Sequence, residues 1–223
     1  MREGSEREFG GEARLLQPRM VVGAGPPGSG KSTRFPLRAF GVDWFNADDR
    51  AAQLNAGSYR KISKEIRSQV NLEFQRWIDD HISAGKNFAI ETTLRSPIAF
   101  EQARLARQHG FSTVMHFVSA GGLQENIKRV KERSYRGGHS ASERLLAEIY
   151  EKSMGNLLMA LDSEQSGVEI VWVYDNSRFD EPATELISMQ SGRVTYLSRN
   201  VSPWLKELLK GTRFDIDSLR KTL

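Results

Sequence analysis

Apolar residues along the chain fall into short runs, separated by stretches in which they recur every three or four positions. Met20, Val21 and Val22 form the first run and pass at once into a Gly/Pro-rich turn from Gly23 to Gly30. Val42–Phe45, Asn87–Ile90 and Phe111–Val118 predict further strands. Val168–Tyr174 is nearly continuous in apolar residues, the pattern of a strand covered on both faces. Between the runs, Ile62, Ile66, Val70, Phe74, Trp77 or Ile78, and His81 repeat at helical spacing, and Gly85 closes that helix. Pro97 suits the first turn of a second helix. A third runs from Gly122 to about Tyr135, before Gly137-Gly138, and a fourth carries Leu145, Leu146, Ile149, Leu157, Leu158 and Leu161. Such alternation predicts βα units in a three-layer α/β domain, with a mostly parallel central sheet flanked by helices.

Beyond Asp180 the pattern weakens to a strand at Val194–Leu197 and helices near Trp204 and Phe214. Residues 1–18 are rich in Gly, Glu and Arg without periodicity and read as a disordered leader or an expression remnant. Residues 19–223 then form a single domain, which the length of 223 residues accommodates.

Composition narrows the chemistry. Zero cysteines exclude a disulfide scaffold, thiolate catalysis and cysteine-ligated zinc. Basic and acidic residues number 32 and 28, a net charge of +4 that is too mild for a nucleic-acid coat. No apolar run approaches the ~20 residues of a membrane span, and no signal peptide opens the chain, so a cytoplasmic location is expected.

Gly25-Pro26-Pro27-Gly28-Ser29-Gly30-Lys31-Ser32-Thr33 satisfies G-x-x-x-x-G-K-[ST], directly after a strand and before a helical stretch. Glycines let backbone N–H groups curl inward onto phosphate oxygens, with Lys31 reaching the β- and γ-phosphates and Ser32 offering its hydroxyl to Mg²⁺. ATP and Mg²⁺ are therefore expected. Ligands of parallel sheets sit beyond the carboxyl ends of strands. Asp48, at the end of the second strand, can act there as general base or can cap the next helix; for Asp49 the cap is favoured. Glu91, with Thr92 alongside, ends the third strand, placed to orient Mg²⁺ through water or to hold a substrate hydroxyl, or else to bond local N–H groups as a strand-end carboxylate. Asp175, after the long apolar strand, imitates the apolar run and aspartate of a Walker B element, but it and Asn176 are read first as structural or nucleotide-edge residues. Lys128, Arg129, Lys131, Arg133, Arg136 and His139 form a basic segment, within a lid spanning about 126–142. Arg129 and Arg133 share a helix face and can stabilise charge on a transferred phosphoryl group, or can be a solvated surface. His81 and His116 read as packing or surface residues. No aromatic interleaving accompanies the basic stretch, which argues against a nucleic-acid partner.

These residues together resemble the zeta-toxin family of P-loop kinases, in its stand-alone branch. The carriers are Gly25 to Thr33, Asn46-x-Asp48, Phe88 to Leu94, Arg129-Val130-x-x-Arg133 leading to Gly137-Gly138-His139, and Tyr174 to Ser177. The resemblance implies ATP-dependent phosphorylation of the 3′-hydroxyl on the amino-sugar of UDP-N-acetylglucosamine, with Mg²⁺. It matches Asp48 to the base, Glu91 and Thr92 to the substrate-side strand end, and Arg129 or Arg133 to a phosphate-contacting lid arginine. His139 stands where many relatives carry a lid arginine and is assigned to the substrate side; a helix carboxylate of the better-known toxins falls near Gln75, with Glu73 a neighbouring substitute. An antitoxin partner belongs to the same picture, though no such segment is visible in this chain. Two other readings stay open: a kinase of another small molecule or nucleotide, and a nucleotide-dependent regulatory ATPase.

Overall fold

A computed structural model describes residues 17–59, 61–135, 141–178 and 180–222. The leader up to residue 16, Gly137, Gly138 and His139 lie outside the described residues. Strands β1 (Arg19–Ala24), β2 (Asp43–Phe45), β3 (Phe88–Thr92), β4 (Ser112–Ser119), β5 (Ile170–Asp175), β6 (Thr184–Gln190) and β7 (Arg193–Leu197) form one sheet in the order β2-β3-β1-β4-β5-β6-β7. The first five are parallel; β6 and β7 add an antiparallel edge. The expected mostly parallel sheet is thus present, but β6 carried no sequence signal. Its Leu186 and Ile187 are both buried beside a bulge, so the strand does not alternate cleanly.

Helices α1 (Lys31–Arg34), α2 (Ala47–Leu54), α3 (Lys64–Ser83), α4 (Ile98–Gln108), α5 (Leu123–Tyr135), α6 (Glu143–Ala160), α7 (Ser163–Ser166), α8 (Pro203–Leu209) and α9 (Ile216–Leu219) complete the domain. One face of the sheet, carrying Met20, Val22, Phe88, Ile90, Met115, Phe117, Val171 and Val173, packs under Ile78, Phe100, Leu157 and Leu205. This is the period-2 alternation of strands meeting the helical stripe of α3, α4, α6 and α8. Ser63 caps α3 by accepting from the Ile66 amide, as Ser142 caps α6 for Leu145.

The opposite face is built differently. A helical stretch is expected after the Gly/Pro turn, and α1 is a single turn of it. Pro36 cannot supply a helical N–H and crowds Phe35 out of the helical region, to φ −131° and ψ 65°. The following turn drops Leu37 and Phe40 onto Val21 and Ala89. β5 consequently alternates buried with half-buried positions, where a doubly covered strand was expected. Its half-buried Trp172 stacks on His116 at 4.7 Å, and His116 in turn stacks on Phe35 at 4.9 Å and Phe40 at 5.2 Å. His116 is thus a packing residue, as its sequence setting suggested, and burial pushes its imidazole down to about 4.

The folded-state value lies below the ordinary 6.5, so the neutral ring's contribution is complete above that value and is lost as pH falls toward about 4. His116→Phe keeps an aromatic in the stack and removes the titration. Urea unfolding from pH 6.5 down to pH 4 is expected to show a shallower loss of stability in the variant. The difference should be on the order of 2 kcal/mol, allowing for partial exposure. Parallel curves would place the acid sensitivity elsewhere.

Candidate functional site

The site is assembled where β1 gives way to the loop of residues 25–30. Gly28 has φ 79° and Gly30 φ 93°, in the left-handed region. Both also lie against neighbours: a Cβ on Gly28 would sit 2.4 Å from the Asn126 carbonyl oxygen, and one on Gly30 2.3 Å from Asn176 Nδ2. The Ser29 amide closes the turn onto the Pro26 carbonyl at 3.2 Å. Among the described residues, the amides of Gly28, Gly30, Lys31 and Ser32 donate to no protein oxygen. Unbonded N–H groups gathered on one glycine-rich loop are what a phosphate needs. Because α1 is one turn long, the loop amides rather than the helix end supply the donors here.

Lys31 is 7% exposed, and its ammonium donates to the Pro26 carbonyl at 3.2 Å. Burial pulls its pKa below the ordinary lysine value; Glu91 pushes it back up, Arg133 pulls it down, and Asp48 pushes it up. Three charged groups from three separate elements therefore face one buried cation: β3, α5 and α2. Ser32 Oγ donates to Glu91 Oε2 at 2.9 Å, and β3 lies in register beside β1 with Glu91 opposite Gly23. A hydroxyl and a carboxylate held this way are hard oxygen donors suited to Mg²⁺.

Asp48 stands exposed in the first turn of α2. Asn46 caps that helix, accepting from the amides of Asp48 and Asp49, so neither aspartate is the cap. The Asp49 carboxylate, expected to cap, instead accepts from the Tyr59 hydroxyl at 2.8 Å. The Thr92 hydroxyl accepts from the Leu94 amide at 3.0 Å and shapes the strand end, where fully buried Leu94 holds φ 55°. Glu73 receives the Arg50 guanidinium at 2.6 Å and Gln69 at 2.9 Å, tying α2 to α3. Gln75 donates to Asp79 at 2.9 Å.

The two arginines of α5, Arg129 and Arg133, have different surroundings. Arg129 Nε donates to Glu125 at 2.8 Å and its Nη2 to the Ser177 carbonyl at 3.0 Å, which anchors α5 to the loop after β5. Arg133 is exposed and acts on Lys31. Lys131 pairs with Glu143 across to α6.

Asp175 and Asn176 are buried structural residues. Asp175 accepts from the Ser177 amide at 2.6 Å, from the Ser202 hydroxyl, and from Trp204 Nε1 at 3.1 Å. Burial alone would raise its carboxyl, but those hydrogen bonds outweigh it and hold the group below its ordinary value. Sequence reasoning missed Arg34, whose Nε donates to Asn176 Oδ1 at 2.8 Å. No local pattern could flag it, since the partners stand 142 residues apart. It also missed Asn126, buried against Gly28, whose side-chain oxygen and nitrogen have no hydrogen-bond partner among the described residues.

No known family profile matches the chain. It is similar to an uncharacterised protein of Haemophilus influenzae, 26% identical over 140 residues, covering 61% of this chain and 95% of that protein. It is also similar to a guanylate kinase of Rubrobacter xylanophilus, 24% identical over 167 residues, covering 61% of this chain and 81% of the relative. Among solved structures, AvrRxo1-ORF1:ORF2 with ATP superposes with a TM-score of 0.62 at 14% identity, over 82% of this chain and 62% of that chain. The PezAT chromosomal toxin–antitoxin system of Streptococcus pneumoniae gives 0.55 at 16% identity, over 96% and 98%. At these identities the likeness is one of fold: the chain shares the fold of these two structures over most of its length.

Asp175→Ala strips an acceptor from Ser177, Ser202 and Trp204 at once. It is expected to cost about 2–4 kcal/mol in denaturant unfolding. A loss below about 0.5 kcal/mol would show that the knot between β5 and α8 does not stabilise the fold.

Proposed function

We propose that this protein is an ATP-dependent kinase that phosphorylates a small-molecule hydroxyl, with the 3′-hydroxyl on the amino-sugar of UDP-N-acetylglucosamine as acceptor. The carrying observation is the convergence at Lys31, a buried cation within a loop of unbonded amides, faced by Glu91, Arg133 and Asp48. Buried positive charge and free donors together suit a polyphosphate and nothing apolar. The acceptor assignment is supported by the zeta-toxin-like fold and by the strand-end residues Asp48, Glu91 and Thr92.

Each residue then has a part. The amides of residues 28–32 and Lys31 bind the β- and γ-phosphates. Ser32 and Glu91 would hold Mg²⁺, which when bound neutralises charge developing on the phosphates. The Asp48 carboxylate accepts the acceptor's hydroxyl proton as that oxygen bonds to the γ-phosphorus, and the bond from phosphorus to the bridging oxygen breaks to release ADP. Arg133, exposed at the lid helix, stabilises charge on the transferred group. Arg129, given to Glu125 and Ser177, holds the lid helix in place. PezAT is a toxin–antitoxin system, and an antitoxin protein is a partner class this fold also admits.

A second reading, a nucleotide as acceptor, is favoured by the likeness to guanylate kinase. ADP release with ATP and Mg²⁺, measured against UDP-N-acetylglucosamine and against GMP, separates the two. Release that needs the nucleotide sugar is expected. Release with GMP alone would move the acceptor to a nucleotide, and release that ignores every acceptor would leave only an ATPase.

Asp48→Asn is expected to keep ATP affinity within about threefold while kcat falls by ~10²–10⁴. Unchanged turnover would remove Asp48 as the base. Arg133→Ala should lower kcat by ~10²–10³, whereas Arg129→Ala should act first on thermal stability; the reverse ranking would exchange their roles.

A further inference from the structure

The loop after β5 reaches the phosphate cradle through one buried side chain. Asn176 is 5% exposed, and its backbone amide donates to the Ser119 carbonyl at 2.7 Å, which fixes it at the end of β4. From there Nδ2 donates to the Ser29 carbonyl at 2.8 Å, and Oδ1 accepts from Arg34 Nε at 2.8 Å. Arg34 also donates from Nη2 to the Glu181 carbonyl. One carboxamide thus holds both flanks of Gly30-Lys31-Ser32. It pins Ser29 on the entering side and Arg34 on the leaving side.

The contact at Ser29 has a directional consequence. A trans peptide is planar, with its C=O and N–H on opposite sides. Holding the Ser29 oxygen toward Asn176 therefore turns the Gly30 N–H the other way. That amide is one of those with no protein acceptor among the described residues. Gly30, at φ 93°, has its Cα pressed so closely to Asn176 that a Cβ would lie 2.3 Å from Nδ2. A Gly-Ser-Gly sequence has little intrinsic stiffness, and without the clamp this peptide could flip and present an oxygen to an incoming phosphate.

We propose that Asn176 is a positioning residue for nucleotide binding: its Nδ2, oriented by Arg34, fixes the Ser29–Gly30 peptide so that the Gly30 amide is presented to the bound phosphate. The proposal rests on the nucleotide-binding part of the function above. Arg34 is needed because a carboxamide can flip, and an arginine donor on Oδ1 selects the orientation that leaves Nδ2 on Ser29. The next residue, Ser177, receives Arg129 from the lid helix, so cradle and lid are tied to the same short loop.

Asn176→Asp separates this role from a merely structural one. The variant keeps an acceptor for Arg34 and strengthens that contact, but it sets an oxygen against the Ser29 carbonyl. Thermal unfolding should stay close to that of the unaltered protein. ATP·Mg²⁺ affinity by titration calorimetry should fall ~10–100-fold, the size of one lost hydrogen bond to a charged group; KM for ATP should rise while KM for the acceptor holds. A folded Asn176→Asp protein that binds ATP at full strength overturns the proposal and leaves the kinase reading intact. Failure of the unaltered protein to bind ATP overturns both. Should the variant not fold, NMR of the unaltered protein decides: slowly exchanging Asn176 side-chain amide protons support the clamp, and rapid exchange overturns it.

Discussion

A lysine ammonium placed below the surface, with free backbone donors around it and no carboxylate bonded to it directly, constrains everything near the end of β1. Burying a cation is unfavourable unless an anion accompanies it, and here the nearby carboxylates of Glu91 and Asp48 soften the burial while Arg133 works against them. Burial remains the largest effect, so the ammonium is left incompletely compensated. A polyphosphate would meet that lack, and the surrounding elements are disposed as if to receive one. Glu91 holds Ser32 from the neighbouring strand, Asp48 waits on the first turn of α2, and Arg133 on α5 is close enough to act on the cation.

The same constraint explains features that look unrelated to chemistry. The loop can sit against α5 and against the post-β5 loop only because Gly28 and Gly30 carry no side chains there. The loop after β5 becomes a junction, with Asp175 knotted to α8, Asn176 holding the cradle, and Ser177 receiving Arg129. Such a junction lets a strand far along the chain set the geometry of a turn near its start. Pro36, by ending α1 after one turn, leaves that face of the sheet to Phe35, Leu37 and Phe40, and so creates the aromatic stack around His116.

Where local pattern dictated structure, the sequence was legible. The β1 run, the glycine turn, the 64–83 helix and the stripe of α6 followed from periodicity and from residues whose conformational limits are intrinsic. The candidate site was legible to the extent that it is a motif: Lys31, Ser32, Glu91 and Asp48 do come together. What stayed hidden was relational. The Arg34–Asn176 contact joins residues 142 apart, and the different surroundings of Arg129 and Arg133 depend on where a carbonyl of Ser177 falls. β6 was hidden because Leu186 and Ile187 break alternation at a bulge, and α2 because eight residues with few apolar positions give little helical signal. The short α1 was readable in principle, from Phe35-Pro36.

The most direct measurement is an amide NMR titration of the unaltered protein with ATP and Mg²⁺, following the backbone N–H groups of Gly28, Gly30, Lys31 and Ser32. The expected result is that these four move together and saturate at one-to-one stoichiometry, as donors taking up phosphate oxygens do. Saturable binding that left all four unmoved would show that the nucleotide sits elsewhere, and the buried lysine would then need another explanation.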